Sequence, residues 1–328
     1  MNKPLIIISL LAVLLPFSSC ALEILPGQTL NYSDFSYISS VAVGYEYVYF
    51  GTTRGVIRYD ISNRRWGEPM TGLRGLLGKQ IEELKVSTDD EHIWAKTDQG
   101  VFEYTDLFRD WNSVGTMPDE PTNGRHLQPA PVYFPPIGFN YMPDGTLVDN
   151  NGRRFPLTDI VDDGWSNLWI GTWGLGALHA DNTNLRMEPL QYGLLQEDIS
   201  TICLDNGILW MGGQADNSLR TGITLFDWRR NIFDYIETEA GFTLKTDNIN
   251  DISVDPANIF VATDNGVWAI DKGNRTINNK LFRNSGLPDN KVLAVLTSGD
   301  TLFVGSEFGL GLLSISLDSA AFSPNYFL

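Results

Sequence analysis

Apolar and polar residues alternate with period two in short runs along most of the chain. Examples are Ile38-Ser39-Ser40-Val41-Ala42-Val43, Ile81-Glu82-Glu83-Leu84-Lys85-Val86 and Ile249-Asn250-Asp251-Ile252-Ser253-Val254. That period buries one face of a β-strand. Each run is followed by a tight turn such as Asp205-Asn206-Gly207 or Ser298-Gly299-Asp300, and then by an aromatic-rich strand. A second turn carries Gly55, Gly100, Gly176, Gly266 or Gly309, and a third strand leaves it. A weaker fourth strand holds an aromatic: Trp66, Trp111, Phe233 or Phe282.

The second strand repeats almost as a phrase. Val48-Tyr49-Phe50-Gly51-Thr52 returns as Leu168-Trp169-Ile170-Gly171-Thr172, Leu209-Trp210-Met211-Gly212 and Leu302-Phe303-Val304-Gly305-Ser306. A recurrence of roughly 40–50 residues is the mark of a propeller or solenoid array. Four short strands cannot bury both faces alone, so neighbouring sheets must stack. Glycine inside a strand marks a bulge or a close approach of another backbone. Gly51, Gly171, Gly212 and Gly305 are therefore expected where strands crowd toward a common axis.

Regular units begin near 38, 81, 158, 199, 249 and 292. The interval from 81 to 158 is too long for one unit. It holds short strands around the hairpin at 145–152, read here as a degenerate seventh unit. The expected fold is all-β, a propeller of four-stranded blades, seven in the preferred reading. Six blades with a hairpin insertion is the alternative. Six prolines make residues 112–136 an extended insertion. A strand such as Gln28-Thr29-Leu30-Asn31-Tyr32 is expected to join the last blade and close the ring.

Gly286-Leu287-Pro288-Asp289-Asn290-Lys291-Val292 leading to Leu302-Phe303-Val304-Gly305-Ser306 resembles the two-component-regulator propeller repeat. Ile160-Val161-Asp162 with Asn167 to Thr172, and Gly193-Leu194 leading into Ile199 to Gly212, are similar to it too. The resemblance covers most of residues 38–328 and implies a propeller in an exported or sensory setting.

The first 21 residues read as an export signal, with Lys3, an apolar stretch Leu5 to Leu15 and a small-residue exit at Pro16-Phe17-Ser18-Ser19. Ser19-Cys20-Ala21 fits cleavage before Leu22; Ser18-Ser19-Cys20 equally resembles a lipobox, with Cys20 as a lipidation candidate. Residues 22–328 are then one propeller domain, without a transmembrane segment and with a lipid anchor as an open alternative. The only other cysteine, Cys203, reads as a small buried hydrophobe in a strand. A formal charge of −17 makes nucleic acid a poor partner.

No catalytic or metal constellation emerges, and no cofactor is expected. His92, His126 and His179 show no metal-ligand spacing. Asp149-Asn150-Asn151-Gly152, Asp162-Asp163-Gly164 and Asp264-Asn265-Gly266 lack the further ligands of a calcium loop and read as hairpin turns. Gly171-Thr172-Trp173-Gly174-Leu175-Gly176 has no following helix to hold a phosphate. The nine tryptophans fall mostly on repeat positions; Trp165 and Trp173 fall off them. Those two, with His126 in the insertion and Arg220 in the 213–221 loop, are the candidates for a ligand-facing rim. The expected function is an exported, non-enzymatic scaffold binding a protein or glycan of the cell envelope. The alternative is a propeller lyase or glycoside-active enzyme with its site in the central channel.

Overall fold

A computed structural model describes residues 29–315, apart from 72–74, 77, 79, 89–91, 107–108, 120–123, 128–132, 182, 216–218 and 238–247. The expected signal and Cys20 lie outside the described residues, as do parts of the 112–136 and 213–221 segments. Among the described residues the chain forms six antiparallel sheets in sequence order. S1 runs from Ile38–Val43 through Tyr47–Thr52 and Gly55–Asp60 to Arg65–Trp66, with Met70–Thr71 beside its third strand. S2 comprises Ile81–Val86, Ile93–Thr97, Gly100–Thr105 and Asp110–Val114. S4 spans Ile199–Asp205 to Ile232–Glu237, and S5 spans Ile249–Val254 to Ile277–Leu281, each with four strands. S6 has three, Val292–Ser298, Thr301–Ser306 and Gly309–Ser314. The fold is thus the expected all-β, propeller-type assembly, in which S2, S4 and S5 are four-stranded antiparallel sheets.

S3 is larger. The strand Arg154–Asp162 is long enough to pair twice, with Asn167–Thr172 over one half and Thr146–Asp149 over the other. The hairpin expected to form a unit of its own, Phe139–Tyr141 with Thr146–Asp149, therefore belongs to the sheet that continues through Ala177–Asp181 and Met187–Leu190. Within the proline-rich insertion, Arg125–His126 pairs with Val161 and Asp162, and Phe134 bridges to Arg186.

The innermost strands show why the sheets stack. Each has a register shift directly after its first paired residue, at Ile38, Ile81, Leu157, Ile199, Ile249 and Val292. Such a bulge bends the strand and re-aims that residue. The re-aimed side chain enters the neighbouring sheet where a glycine leaves room. A Cβ on Gly171 would lie 2.5 Å from Ile38, one on Gly51 2.6 Å from Ile81, and one on Gly212 2.3 Å from Ile249. Between S5 and S6 the small residue is Ala262, buried with Val292 in one apolar cluster.

A hydroxyl or amide beside each notch secures the incoming main chain. Thr158 Oγ1 donates to the Ile38 carbonyl at 2.8 Å and Asn250 Nδ2 to that of Val292 at 2.8 Å; Ser39 and Ser200 donate to those of Ile81 and Ile249. One residue on, Asp159 accepts the Val41 N–H at 2.8 Å, Ser40 that of Leu84 at 3.0 Å and Asp251 that of Val295 at 3.0 Å.

These junctions order the sheets as S3–S1–S2 and S4–S5–S6. S1 thus lies between S2 and S3 instead of preceding both. The two runs meet through aromatics: Tyr32, Trp66 and Tyr192 pack with Phe226 and Phe233 of S4. That contact corrects the expected closure. Residues 29–36 form no strand, and Tyr32 lies 4.8 Å from Phe226 with its hydroxyl bonded to Asn231 at 2.9 Å. The segment is drawn to S4 by its aromatic rings, and among the described residues no strand pairs with the outer edge of Gly309–Ser314.

Candidate functional site

A roomy groove lies at one end of the S3–S1–S2 run. It encloses about 420 Å³ and is lined by Val43, Gly44, Tyr45, Ile61, Thr88, Asp163, Trp165 and Asn167, with Ser62. The wall is built from turns: 44–46 between the first two strands of S1, 61–62 after its third strand, and 163–166 in S3. Stacking S3 on S1 brings these turns side by side.

Two large aromatics stand out from this wall. Trp165 is 83% exposed and Tyr45 81%. Large aromatic surface left in water on a rigid turn is unusual for structural residues, which fill the core. The turn under Trp165 is held by Asp163. Its Oδ1 accepts the N–H groups of Trp165 at 2.7 Å and Asn167 at 3.0 Å. Its Oδ2 accepts Asn167 Nδ2 at 2.7 Å and Trp169 Nε1 at 3.3 Å. Asn167 in turn meets His179 Nε2 at 3.0 Å. Burial pulls the His179 imidazole below its ordinary value against the upward pull of Asp181 and Glu188, so the ring is neutral at pH 7. Ser166 sits at φ 97°, a conformation that L-residues avoid and that costs of order 1–3 kcal/mol. Asp163, the one carboxylate in the lining among the described residues, thus holds the turn in shape.

The other rim candidates lie apart from this groove. Trp173 packs edge-on against Tyr37 at 5.3 Å, joining S3 to the start of S1, and its main-chain N–H donates to the Pro156 carbonyl at 2.9 Å. His126 Nδ1 is 2.8 Å from Asp159 Oδ1, the carboxylate that also locks S3 to S1. Arg220 is buried. It donates to Glu237 at 2.7 Å and lies over the Tyr235 ring at 5.0 Å. Arg153 reaches the other oxygen of Glu237 at 2.8 Å and Asp149 at 2.6 Å. Burial alone would raise Glu237; the two guanidinium groups outweigh it and hold the carboxyl below its usual range. Arg220 also lines a crevice of about 10 Å³ with Asp34 and Tyr235, room for about one water.

Tyr45 is the residue that the repeat register passed over. It occupies the turn Gly44-Tyr45-Glu46, off the strand positions that account for most aromatics, and the test that singled out Trp165 selects it too. Cys203 lies half-buried in the first strand of S4, where burial pushes its thiol up and away from reactivity. Among the described residues no group of three or more His, Cys, Asp or Glu could hold a metal ion, and no helix is long and apolar enough to cross a membrane.

No protein-family model and no curated protein matches the chain. Among solved structures it is similar, at 15% identity, to the extracellular domain of a putative hybrid two-component system from B. thetaiotaomicron, over 91% of this chain and 44% of that one with a TM-score of 0.32. A second such extracellular domain from B. thetaiotaomicron is similar at 16% identity over 87% of this chain and 41% of that one, with a TM-score of 0.26. PorZ, a surface component of the type-IX secretion system of Porphyromonas gingivalis, is similar at 13% identity over 89% of this chain and 47% of that one, with a TM-score of 0.37. The chain spans less than half the length of each. Superpositions this loose carry no argument, and the fold stands on its own sheets and their register.

Proposed function

We propose that the protein is an exported, non-catalytic scaffold that holds a protein or glycan of the cell envelope against the groove between Tyr45 and Trp165. The observation that carries this reading is the pair of exposed aromatics on turns fixed by stacked sheets. A rigid platform with aromatic anchors binds at little conformational cost. Among the described residues, the one carboxylate lining the groove, Asp163, accepts four hydrogen bonds that hold its turn. Export rests on the N-terminal pattern of Lys3 followed by Leu5 to Leu15.

The test is a pull-down from envelope extract and a glycan array, run with wild type and with Trp165→Ala/Tyr45→Ala. Truncating two central aromatics should weaken a true interaction at least tenfold, since anchors of this kind contribute about 2 kcal/mol or more each. A partner retained equally by both proteins would place binding elsewhere. Hydrolysis or elimination of an array glycan by wild type would replace the reading with the enzymatic one.

A further inference from the structure

Apolar side chains are exposed across the outward face of S6. Its rows are fixed by register: Ala294 opposite Gly305 opposite Leu310, then Leu296 opposite Phe303 opposite Leu312. The same positions on S5 are Ala262, Val267, Phe260 and Ala269, all at most 1% exposed because S6 covers them. On S6, Leu310 is 63% exposed, Leu296 62% and Leu312 44%. Gly305 occupies the notch position, yet a Cβ there would meet only Ala294 of its own sheet, at 3.5 Å. S6 therefore has the surface of a junction with nothing seated on it among the described residues.

The opposite ends of the stacks are finished differently. On S2 the corresponding rows read Glu83 opposite Lys96 opposite Val101, and Lys85 opposite Trp94 opposite Glu103, with Val101 and Trp94 buried. Lys96 fills the notch position and pairs with Glu82 at 3.4 Å. Charges at those places keep another sheet from docking. The outward face of S3 is covered by Leu127, Tyr133, Phe139 and Tyr141. On the second face of S4, Tyr32 and Tyr192 pack over Phe226 and Phe233, while Ile202 and Leu204 of that face stay 62% exposed.

We propose that this face of S6 is a self-association surface, and that a second copy of the chain packs its own S6 against it across a two-fold axis. Three properties favour a second copy. The two rows carry no charge in a chain of net charge −17, so identical faces meet without like-charge contact at the centre. An isologous contact needs only one patch on each copy and closes as a dimer. Two apolar sheet faces pack as the halves of a sandwich, and the hollow over Gly305 receives a side chain from the facing copy.

The size of the face sets the strength. Three strands of six residues cover roughly 300 Å² by standard strand spacings. That is below the ~800 Å² per partner of a stable complex, so association is weak, with a Kd of order 10 µM to 1 mM. Two copies of net charge −17 repel each other, and salt screens that repulsion. Association should therefore strengthen between about 0.05 and 0.5 M salt.

Sedimentation of the purified chain from about 5 to 500 µM tests this. Wild type should move from monomer toward twice the monomer mass. Leu310→Lys and, independently, Leu296→Lys should stay monomeric with unchanged circular dichroism; Leu204→Lys, a control at another exposed leucine, should behave as wild type. A wild-type chain that stays monomeric, growth beyond the dimer, or two S6 variants that fold and associate like wild type would each overturn the proposal. Should both S6 variants lose their fold, Gly305→Gln, whose side chain rises into the open hollow, takes their place under the same criterion.

Discussion

The notch arrangement makes a sharp prediction about two glycines that occupy the same place in the repeat. At Gly212 an added Cβ would fall 2.3 Å from Ile249 Cγ2 and 2.7 Å from its Cβ. Neither atom can swing away, because Ile249 is fully buried and its carbonyl is held by Ser200. Gly212→Ala must therefore shift S5 against S4 or force Ile249 off its rotamer. Overpacking of this kind costs about 1–3 kcal/mol. At Gly305 the nearest atom is 3.5 Å away, an ordinary contact, so Gly305→Ala meets no clash. Its effect is a stabilisation of a few tenths of a kcal/mol from the stiffer unfolded chain.

Thermal unfolding followed by circular dichroism reads both changes. With about 2–4 °C of Tm per kcal/mol for a chain of this order of size, Gly212→Ala should lower Tm by about 4–8 °C for a central 2 kcal/mol, and Gly305→Ala by nothing measurable. A double-mutant cycle isolates the contact. Ile249→Ala alone leaves a cavity, but in the Gly212→Ala background it also removes the clash, so the two should couple favourably by about 1 kcal/mol or more. Equal losses at the two glycines, or an additive cycle, would refute the account of how the sheets lock.

Two further predictions concern other links. Burial raises the Asp34 carboxyl to about 6, with the Ser36 hydroxyl and N–H pulling it down and Glu197 pushing it up. The folded value exceeds the unfolded 3.8, so the folded chain binds more protons between about pH 4 and 6, and stability rises as pH falls through that window by up to ~3 kcal/mol. Asp34→Asn keeps an acceptor for Ser36 and should raise Tm at pH 7 but not at pH 4; an equal shift at both would sink the assignment. At the N-terminus, palmitate labelling of wild type and Cys20→Ser tests the lipid anchor, and equal labelling rules it out.

The all-β class and the strands themselves were legible because period two, turn glycines and a repeated phrase all report local structure. The junction glycines were legible as places of close approach, though not which neighbour approaches: Gly51 takes Ile81 from the next unit, while Gly171 takes Ile38 from two units earlier. Sheet order is a long-range property, and no local spacing encodes it. The same limit explains the N-terminal segment. Thr29 to Tyr32 alternates like a strand, but the free energy of placing Tyr32 among Tyr192, Phe226 and Phe233 outweighs an edge pairing, and propensity yields to aromatic burial.

The site shows the converse. Exposure follows from what the repeat does not need. Trp169 and Trp210 occupy strand positions and are buried; Trp165 and Tyr45 occupy turns that close with Asn, Asp or Gly elsewhere in the chain. At Trp165 the turn also holds Ser166 at positive φ, steadied by four hydrogen bonds to Asp163. In the proposed binding role, the strained turn presents that indole as an anchor. By the same logic, Lys96 and Gly305 are alternative residues at one repeat position, and they divide the sheet faces into one that ends a stack and one that invites another. Exchanging them is the strictest trial of that division: Gly305→Lys should abolish self-association, and Lys96→Gly alone should not create it, because Glu83, Lys85 and Glu103 still charge the S2 face.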